Sequence, residues 1–174
     1  MKNILISTFL FTLLFFFGCQ GADNSKRNLE EDTKVSSNEK EVAIKEISNI
    51  IEGIVRSVSH LDVDGVLKPY SNDANFRMVN PDASVSDFQT LKSNQTKAFE
   101  RLTSASVKTV KQDFTFLSNN LVICTWTGST EFELKTGGRG KIESYVDTML
   151  FERKNNEWKI IYVHESSTPP IEIK

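Results

Sequence analysis

Residues 121–168 of this chain have the sequence LVICTWTGSTEFELKTGGRGKIESYVDTMLFERKNNEWKIIYVHESST. This stretch predicts three consecutive strands, at 121–134, 141–151 and 158–166. The pairs Gly137-Gly138 and Asn155-Asn156 separate them, and such residues adopt the positive φ that tight hairpins need. We therefore expect an antiparallel sheet, with the rest of the chain covering it or tethering it.

An amphipathic helix is predicted upstream of these strands. Ser36 and Glu39 have the spacing of a capping box, which marks a helix start. The apolar residues that follow recur at intervals of three and four, so they form one stripe on the helix: Ile44, Ile47, Ile51, Ile54, Val58 and Leu61. This stripe needs an apolar surface to cover, and the sheet provides it.

Two further helices and two strands are predicted between this helix and residue 121. A short helix begins at Asp62 and ends before Pro69, since the residue before a proline disfavours helical geometry. Another begins at Ser86, which has capping spacing to Gln89. Strands are predicted at 75–79 and 107–117. The resulting order is helix, helix, strand, helix and four strands in an antiparallel meander, which is typical of the α+β class.

The N-terminus has the features of a secretory signal. After Met1-Lys2-Asn3, residues 4–17 are apolar or hydroxylated, a run shorter than the roughly 20 residues of a membrane-spanning helix. The run ends at Gly18-Cys19 and resembles a bacterial lipoprotein signal, in which the chain is cut before the cysteine and the thiol is acylated. An ordinary secretory signal or an N-terminal anchor is the alternative. The resemblance implies that Cys19 anchors the protein to a membrane of the bacterial cell envelope, with its domain outside the cytoplasm.

The predicted domain organisation follows from these features. A signal peptide occupies residues 1–18, a disordered tether 19–38, a folded domain 39–168 and a C-terminal tail 169–174. The tether is rich in Ser, Asn, Asp, Glu and Lys, and therefore cannot bury enough surface to offset chain entropy.

Composition argues against several classes of function. The formal net charge is −2 and the basic residues are scattered, which disfavours nucleic-acid binding. Two separated histidines and no Cys/His cluster predict no metal site, and no cofactor-binding motif is present. Cys124 alternates with Val122 and Trp126, so we expect a buried thiol rather than a disulfide partner for Cys19.

Two short motifs resemble a known superfamily. The stretch WKIIYVHES at 158–166 resembles the last strand of SnoaL-like proteins and of the calmodulin-dependent kinase association domain, where a Trp is followed by a His six positions on and a Ser eight on. The stretch LDVDGVL at 61–67 resembles the family's second helix. With the element order, residues 42–168 are similar to the NTF2-like superfamily. This resemblance implies a cone-shaped α+β fold, a curved antiparallel meander whose concave face is covered by three N-terminal helices. It implies no single activity, because this fold hosts enzymes, binders and assembly modules.

The turns also predict which residues pair across the strands. A two-residue turn at Asn155-Asn156 places eight residues opposite one another in four pairs: Phe151 with Ile160, Met149 with Tyr162, Asp147 with His164, and Tyr145 with Ser166. A turn at Gly137-Gly138 places Trp126 opposite Met149 and Gly128 opposite Asp147. This register predicts a concave pocket lined by Trp126, Tyr145, Asp147, Met149, Tyr162 and His164.

Such a pocket suggests a ligand site, with two candidate catalytic residues. Apolar cavities with a few convergent polar groups are the usual form of small-ligand sites, and an Asp147–His164 pair could act as a general base. The plainer alternative is a cross-strand ion pair that fixes register. Arg77 could bind a ligand carboxylate at the cone mouth or lie on the surface. His60 is expected to cap a helix C-terminus rather than bind a ligand.

Three functions remain open. The chain is a lipid-anchored binding module for a small apolar or carboxylate-bearing ligand, an assembly module with a filled cone, or an isomerase, dehydratase or cyclase using His164 and Asp147. The first helix lacks the tyrosine that a ketosteroid-isomerase pattern needs. A void on the order of a few hundred Å³ would favour a binder or an enzyme over a filled assembly module.

The opposite, convex face of the sheet is expected to be apolar in its middle. Val146, Leu150, Ile161 and Val163 should lie there, and an uncovered apolar face marks an interaction surface. The NTF2-like resemblance implies a homodimer through this face. A monomeric mass in light scattering at micromolar concentration would contradict it.

Overall fold

A computed structural model describes residues 35–174 of the chain. The predicted signal peptide, Cys19 and the tether up to residue 34 lie outside the described residues. Within 35–174, no helix is long and apolar enough to cross a membrane. These residues form three helices and seven strands.

The first two helices begin where the sequence predicts. Helix α1 (Ser37–Ser59) is capped by Ser36, and the reciprocal bonds of a capping box with Glu39 are both present. Its buried residues are Ala43, Ile47 and Ile51. His60 is the C-cap residue, with a ring nitrogen 2.7 Å from the Arg56 carbonyl oxygen, which confirms its predicted capping position.

Helix α2 (Val63–Leu67) is capped by Asp62, whose carboxylate accepts from the Gly65 N–H at 3.0 Å.

The predicted start of the third helix is wrong by one residue. Helix α3 (Phe88–Glu100) is capped by Asp87, whose carboxylate accepts from the Thr90 N–H at 2.7 Å. Ser86 instead belongs to strand β2 (Val85–Ser86), where its hydroxyl accepts from Asn80 Nδ2 at 3.0 Å. Asp and Ser are comparable N-cap residues. Because Ser86 belongs to a strand, Asp87 becomes the N-cap.

The four long strands form the predicted antiparallel meander: β3 (Leu102–Ser118), β4 (Leu121–Leu134), β5 (Arg139–Lys154) and β6 (Glu157–Ser167). Strand β1 (Arg77–Val79) pairs in parallel with β6 and antiparallel with β2, which gives the order β2-β1-β6-β5-β4-β3. The architecture is an α+β cone with a curved, open sheet and N-terminal helices, as the sequence predicts.

The sequence predicted that residues 169–174 are a C-terminal tail, but part of this segment forms a strand. Strand β7 (Ile171–Ile173) pairs with Arg139–Lys141 at the beginning of β5. Strand β6 ends opposite Tyr145, which leaves that part of β5 without a neighbour on one side. Strand β7 covers this edge and satisfies its backbone groups.

The β5–β6 hairpin contains a bulge that corrects the predicted register. Asn155 and Asn156 both have positive φ, and Phe151 pairs with Ile160 as predicted. Ile161 is then an extra residue, because the next pair is Leu150 with Tyr162. The predicted pairs beyond it are wrong; the observed ones are Met149 with Val163, Asp147 with Glu165, and Tyr145 with Ser167.

This single extra residue exchanges the two faces of β6, because side chains alternate with a period of two. Tyr162, His164 and Ser166 lie on the convex face, opposite to the prediction. Val163 and Glu165 replace them on the concave face.

The β4–β5 register differs from the prediction by two residues. Trp126 pairs with Asp147, and Gly128 pairs with Tyr145. The hairpin closes on a 2.8 Å bond from the Leu134 N–H to the Gly138 carbonyl oxygen, so the loop is longer than a two-residue turn. A bulge after Gly128 offsets part of this change. From Leu121 to Gly128 the shift is two residues, which keeps these side chains on their predicted face.

The core lies between the helices and the concave face of the sheet. Its largest fully buried side chains are Phe76, Phe151, Ile47, Ile160, Val122, Val163 and Cys124. Cys124 is buried, as predicted, and burial raises the pKa of its thiol to about 12.

Val163 is therefore a core residue, and the prediction that it lies on the convex face is wrong. Tyr162, 38% exposed, takes that position beside Leu150. The homodimer through this face stays a prediction.

Candidate functional site

A cavity of about 300 Å³ lies between the helices and the concave face of the sheet. All three helices and strands β1 and β3–β6 contribute to its wall. Most lining side chains are aliphatic or aromatic, including Ile51, Leu91, Phe99, Val107 and Met149. The cone is therefore hollow rather than filled.

Two carboxyl groups converge on this cavity. Asp147 on β5 and Glu165 on β6 are direct cross-strand partners, and both line the wall. The bulge at Ile161 produces this pair, because it turns Glu165 instead of His164 towards the inside. Among the lining residues that the structure describes, there is no lysine, arginine or histidine.

The surroundings raise the pKa of both acids and so disfavour their ionised forms. Burial raises the pKa of Asp147 well above its usual range, and the neighbouring Glu165 charge raises it further. Burial also raises the pKa of Glu165; a hydrogen bond with Tyr145 opposes this shift and the charge of Asp82 adds to it. Within the described range, the buried Oδ1 of Asp147 has no hydrogen-bond partner. A buried polar atom in this state is costly and marks a place where a ligand group or water could bind.

Two tyrosines stand beside the acid pair. Tyr145 is two residues from Asp147 on β5, and Tyr70 follows α2 and packs edge-on against Phe76, with ring centroids 5.9 Å apart. Burial raises the pKa of both phenols, and the charges of Asp147 and Glu165 raise it further. Both hydroxyls consequently remain protonated at neutral pH and can donate hydrogen bonds.

Trp126 forms part of the cavity floor in a fixed orientation. Its Nε1–H donates to the Thr109 hydroxyl at 3.0 Å, and its ring meets that of Tyr145 edge-to-face, with centroids 6.1 Å apart. A Cβ added at Gly128 would collide with the indole and would lie 2.6 Å from the Lys108 carbonyl oxygen. The missing side chain at Gly128 therefore lets the indole lie along the sheet.

A second aromatic ring lies over a glycine nearby. Phe132 pairs with Gly140 across the β4–β5 ladder, and a Cβ at Gly140 would collide with its ring. Both large rings thus lie against the sheet, which leaves the space above them open.

The predicted site residues fall into two groups. Trp126, Tyr145, Asp147 and Met149 line the cavity. Tyr162 and His164 are exposed on the convex face, where His164 pairs with Thr148, so the predicted Asp147–His164 pair is not formed.

Arg77 is also away from the cavity. Its guanidinium donates to the carbonyl oxygens of Ala74 and Phe76 at 2.7 and 2.6 Å, and its side chain is exposed. Among residues 35–174, no arginine therefore lines the cavity to hold a ligand carboxylate.

Sequence reasoning missed Glu165 and Tyr70. The sequence did contain a signal for Glu165. Apolar and polar residues alternate from Trp158 to Ile160, and Ile161 breaks this alternation, which indicates a bulge. Tyr70 has no comparable signal, because it lies in the loop after α2 and reaches the cavity only through the packing of that loop on β6.

Comparison with known proteins identifies the fold. No model of a protein family matches the sequence, and neither does any curated protein. Among solved structures, a candidate scytalone dehydratase from Novosphingobium aromaticivorans has a TM-score of 0.72 at 7% identity, over 80% of this chain and 93% of that chain. The hexachlorocyclohexane dehydrochlorinase LinA, type 2, has a TM-score of 0.69 at 10% identity, over 80% and 94%.

An NTF2-like superfamily protein from Salmonella enterica has a TM-score of 0.66 at 12% identity, over 75% of this chain and 94% of that chain. At these identities the likeness shows the fold alone. The domain is an NTF2-like cone, and proteins with this fold include enzymes as well as proteins of unknown function.

Proposed function

We propose that this chain is a small-molecule-binding module, lipid-anchored in the bacterial cell envelope, whose NTF2-like cone holds an apolar ligand with one polar end. The observation that supports this most directly is the hollow cone of about 300 Å³, with mostly apolar walls and a pair of acids, Asp147 and Glu165. Cavities of this size and lining are typical of ligand sites.

The packing of the large aromatic residues favours this function over a purely assembly role. A filled cone would need Trp126 and Phe132 to project into the space, yet Gly128 and Gly140 allow both rings to lie along the sheet. An unfilled apolar cavity lowers the stability of the folded chain. Ligand binding would explain why the chain keeps such a cavity.

Catalysis is a second candidate, with different residues from those predicted. Asp147 and Glu165 differ in surroundings, since a hydrogen bond with Tyr145 lowers the pKa of Glu165 against the effect of burial, and paired acids in different surroundings can divide acid and base roles. The solved structures with this fold include one named for dehydrochlorination, which makes elimination chemistry the class to test first. Chemical change of a co-purified ligand during incubation, lost in Asp147→Asn, would support catalysis; an unaltered ligand would count against it.

The binding function predicts that a neutral hydrophobic dye enters the cone. N-phenyl-1-naphthylamine, which is non-basic, should bind saturably with micromolar affinity and gain fluorescence. Ala105→Phe, which directs a ring from β3 into the cavity, should weaken binding at least tenfold. Ala105 is buried and lines the wall, whereas the adjacent Ser106 is exposed.

Ser106→Phe is the matched control, since it adds the same ring to the outside of the same strand and should change the affinity less than twofold. Equal losses in both variants, or no saturable binding to the unmodified chain, would contradict the proposed site. Unchanged circular dichroism would establish that both variants are folded.

The anchoring part of the proposal predicts acylation of one cysteine. Cells supplied with an alkynyl fatty acid should label the chain, and Cys19→Ala should abolish the label. Cys124→Ala serves as the control and should keep it, because the Cys124 side chain is completely buried. Labelling that persists in Cys19→Ala would contradict the lipoprotein assignment but would not bear on the binding function.

A further inference from the structure

We propose that the cavity selects apolar ligands that carry an aliphatic ammonium group, which Asp147 and Glu165 bind as a pair. This inference rests on the proposed binding function and names the ligand class. It also replaces the carboxylate-bearing ligand expected from the sequence, because Arg77 points away from the cone.

The charge of the lining is one-sided. Its two ionisable acids are cross-strand partners, and the described wall contains no basic side chain to neutralise them. The groups that face the pair are the phenols Tyr70 and Tyr145 and the more distant carboxylate of Asp82, and none of these is a cation. The pair can therefore be neutralised only by protons or by a cation brought by the ligand.

The geometry of an ammonium group suits this locus. It has three N–H donors and no acceptor, and the two carboxyl groups offer several acceptor sites, including the unpartnered Oδ1 of Asp147 once local side chains adjust. The rings of Trp126 and Tyr145 line the same cavity, and aromatic faces attract cations in desolvated surroundings. An alcohol supplies a single donor, and a carboxylate supplies none.

A bare metal ion fits less well than an organic cation. The described residues contain no group of three or more His, Cys, Asp or Glu side chains arranged to hold a metal ion. The apolar wall around the acid pair instead matches the hydrocarbon part of an organic amine.

Binding of the ammonium ion is coupled to proton release. In the empty cavity burial raises the pKa of both acids and so favours their protonated forms. When the cation binds, a carboxyl loses its proton to solvent and becomes the counter-ion, so no oxidant or other reactant is involved. Affinity should therefore rise with pH until the amine itself loses its proton.

Three ligands with one skeleton test this selectivity. 1-Naphthylmethylamine, 1-naphthalenemethanol and 1-naphthoate would each compete with bound N-phenyl-1-naphthylamine at pH 7. We expect the amine to compete at least tenfold better than the alcohol, and the carboxylate to be weakest. Asp147→Asn should bring the amine and the alcohol to within threefold of each other.

Asp113→Asn is the control, because Asp113 is an exposed carboxylate paired with Lys111 on β3 and should leave the amine preference unchanged. Equal competition by amine and alcohol, or strongest competition by naphthoate, would overturn the inference while the dye still reports a binding cavity. Equal losses of affinity for the amine and the alcohol in Asp147→Asn would also overturn the inference. Failure of the dye itself to bind would instead overturn the proposed function, and this inference with it.

Discussion

Replacement of Phe151 with alanine is expected to lower the free energy of unfolding by about 3–5 kcal/mol, the usual cost of removing a buried aromatic side chain. Phe151 has 0% exposed surface and lies in β5, between Val122 of β4 and Ile160 of β6. The loss combines the transfer free energy of the ring with the cavity that it leaves. Urea denaturation followed by circular dichroism would measure it.

Phe151→Leu is the matched variant, because it keeps most of the buried volume. It should cost about 1–2 kcal/mol, since volume-conserving apolar changes are tolerated best. A domain of this size has a total stability of roughly 5–15 kcal/mol, so the alanine variant should lose a much larger share of its stability than the leucine variant. Similar, small losses in both variants would show that Phe151 is not central to the core.

The neighbourhood of Phe151 is also where prediction from sequence works best. The turn at Asn155-Asn156 and the pairing of Phe151 with Ile160 were both predictable, because a two-residue turn fixes the register of the residues next to it. The helix caps at Ser36 and Asp62 were also predictable, because each depends only on groups three residues apart in the chain. Local interactions determine these features, so a short window of sequence contains the necessary information.

The register beyond Ile161 depends on residues far away in the chain. The Ile160 N–H donates to the Pro69 carbonyl oxygen at 2.9 Å, and the Ser71 N–H donates to the Ile160 carbonyl oxygen at 2.8 Å. Strand β1 then pairs with Tyr162, Val163 and His164 of β6. The segment around the bulge is thus hydrogen-bonded to a loop and a strand about 90 residues earlier in the chain. A register counted from the hairpin turn does not take these contacts into account.

The consequences for the site differ between the two hairpins. In β4–β5 the predicted register was wrong by two residues, and Trp126 and Tyr145 still face the cavity because the face is preserved. In β5–β6 the error of one residue exchanged Glu165 for His164, and with it the chemistry of the site changed from an acid–base pair to a pair of acids. Errors of odd length are therefore the ones that alter function.

The pair of acids predicts an unusual dependence of stability on pH. We expect the free energy of unfolding to fall as the pH rises above about 4, the pKa of an unfolded aspartate. Burial raises the pKa of Asp147 in the folded state, whereas an unfolded aspartate has a pKa of about 3.9. Between these two values the folded chain keeps a proton that the unfolded chain has lost, so higher pH favours unfolding, by up to about 1.4 kcal/mol per pH unit for one group.

Asp147→Asn should remove much of this slope, because the amide has nearly the same shape and cannot ionise. The variant should be more stable than the unmodified chain at pH 8 and should lose that advantage near pH 4. Glu165, whose pKa is also raised by burial, should maintain a smaller slope of the same sign. Asp113→Asn, at an exposed ion pair with Lys111, is the control and should leave the slope unchanged. Urea denaturation at pH 4, 5, 6, 7 and 8 would give all three curves.

The sign of the slope in the unmodified chain also bears on the ligand class. A rise in stability over this pH range would mean that Asp147 is ionised in the folded chain and already balanced by a positive charge, which the described lining does not contain. The amine proposal would then lose its premise. A fall means that the acid pair retains protons until a cation arrives, and addition of 1-naphthylmethylamine should then flatten the slope, because the ammonium ion replaces the retained proton as the neutralising charge.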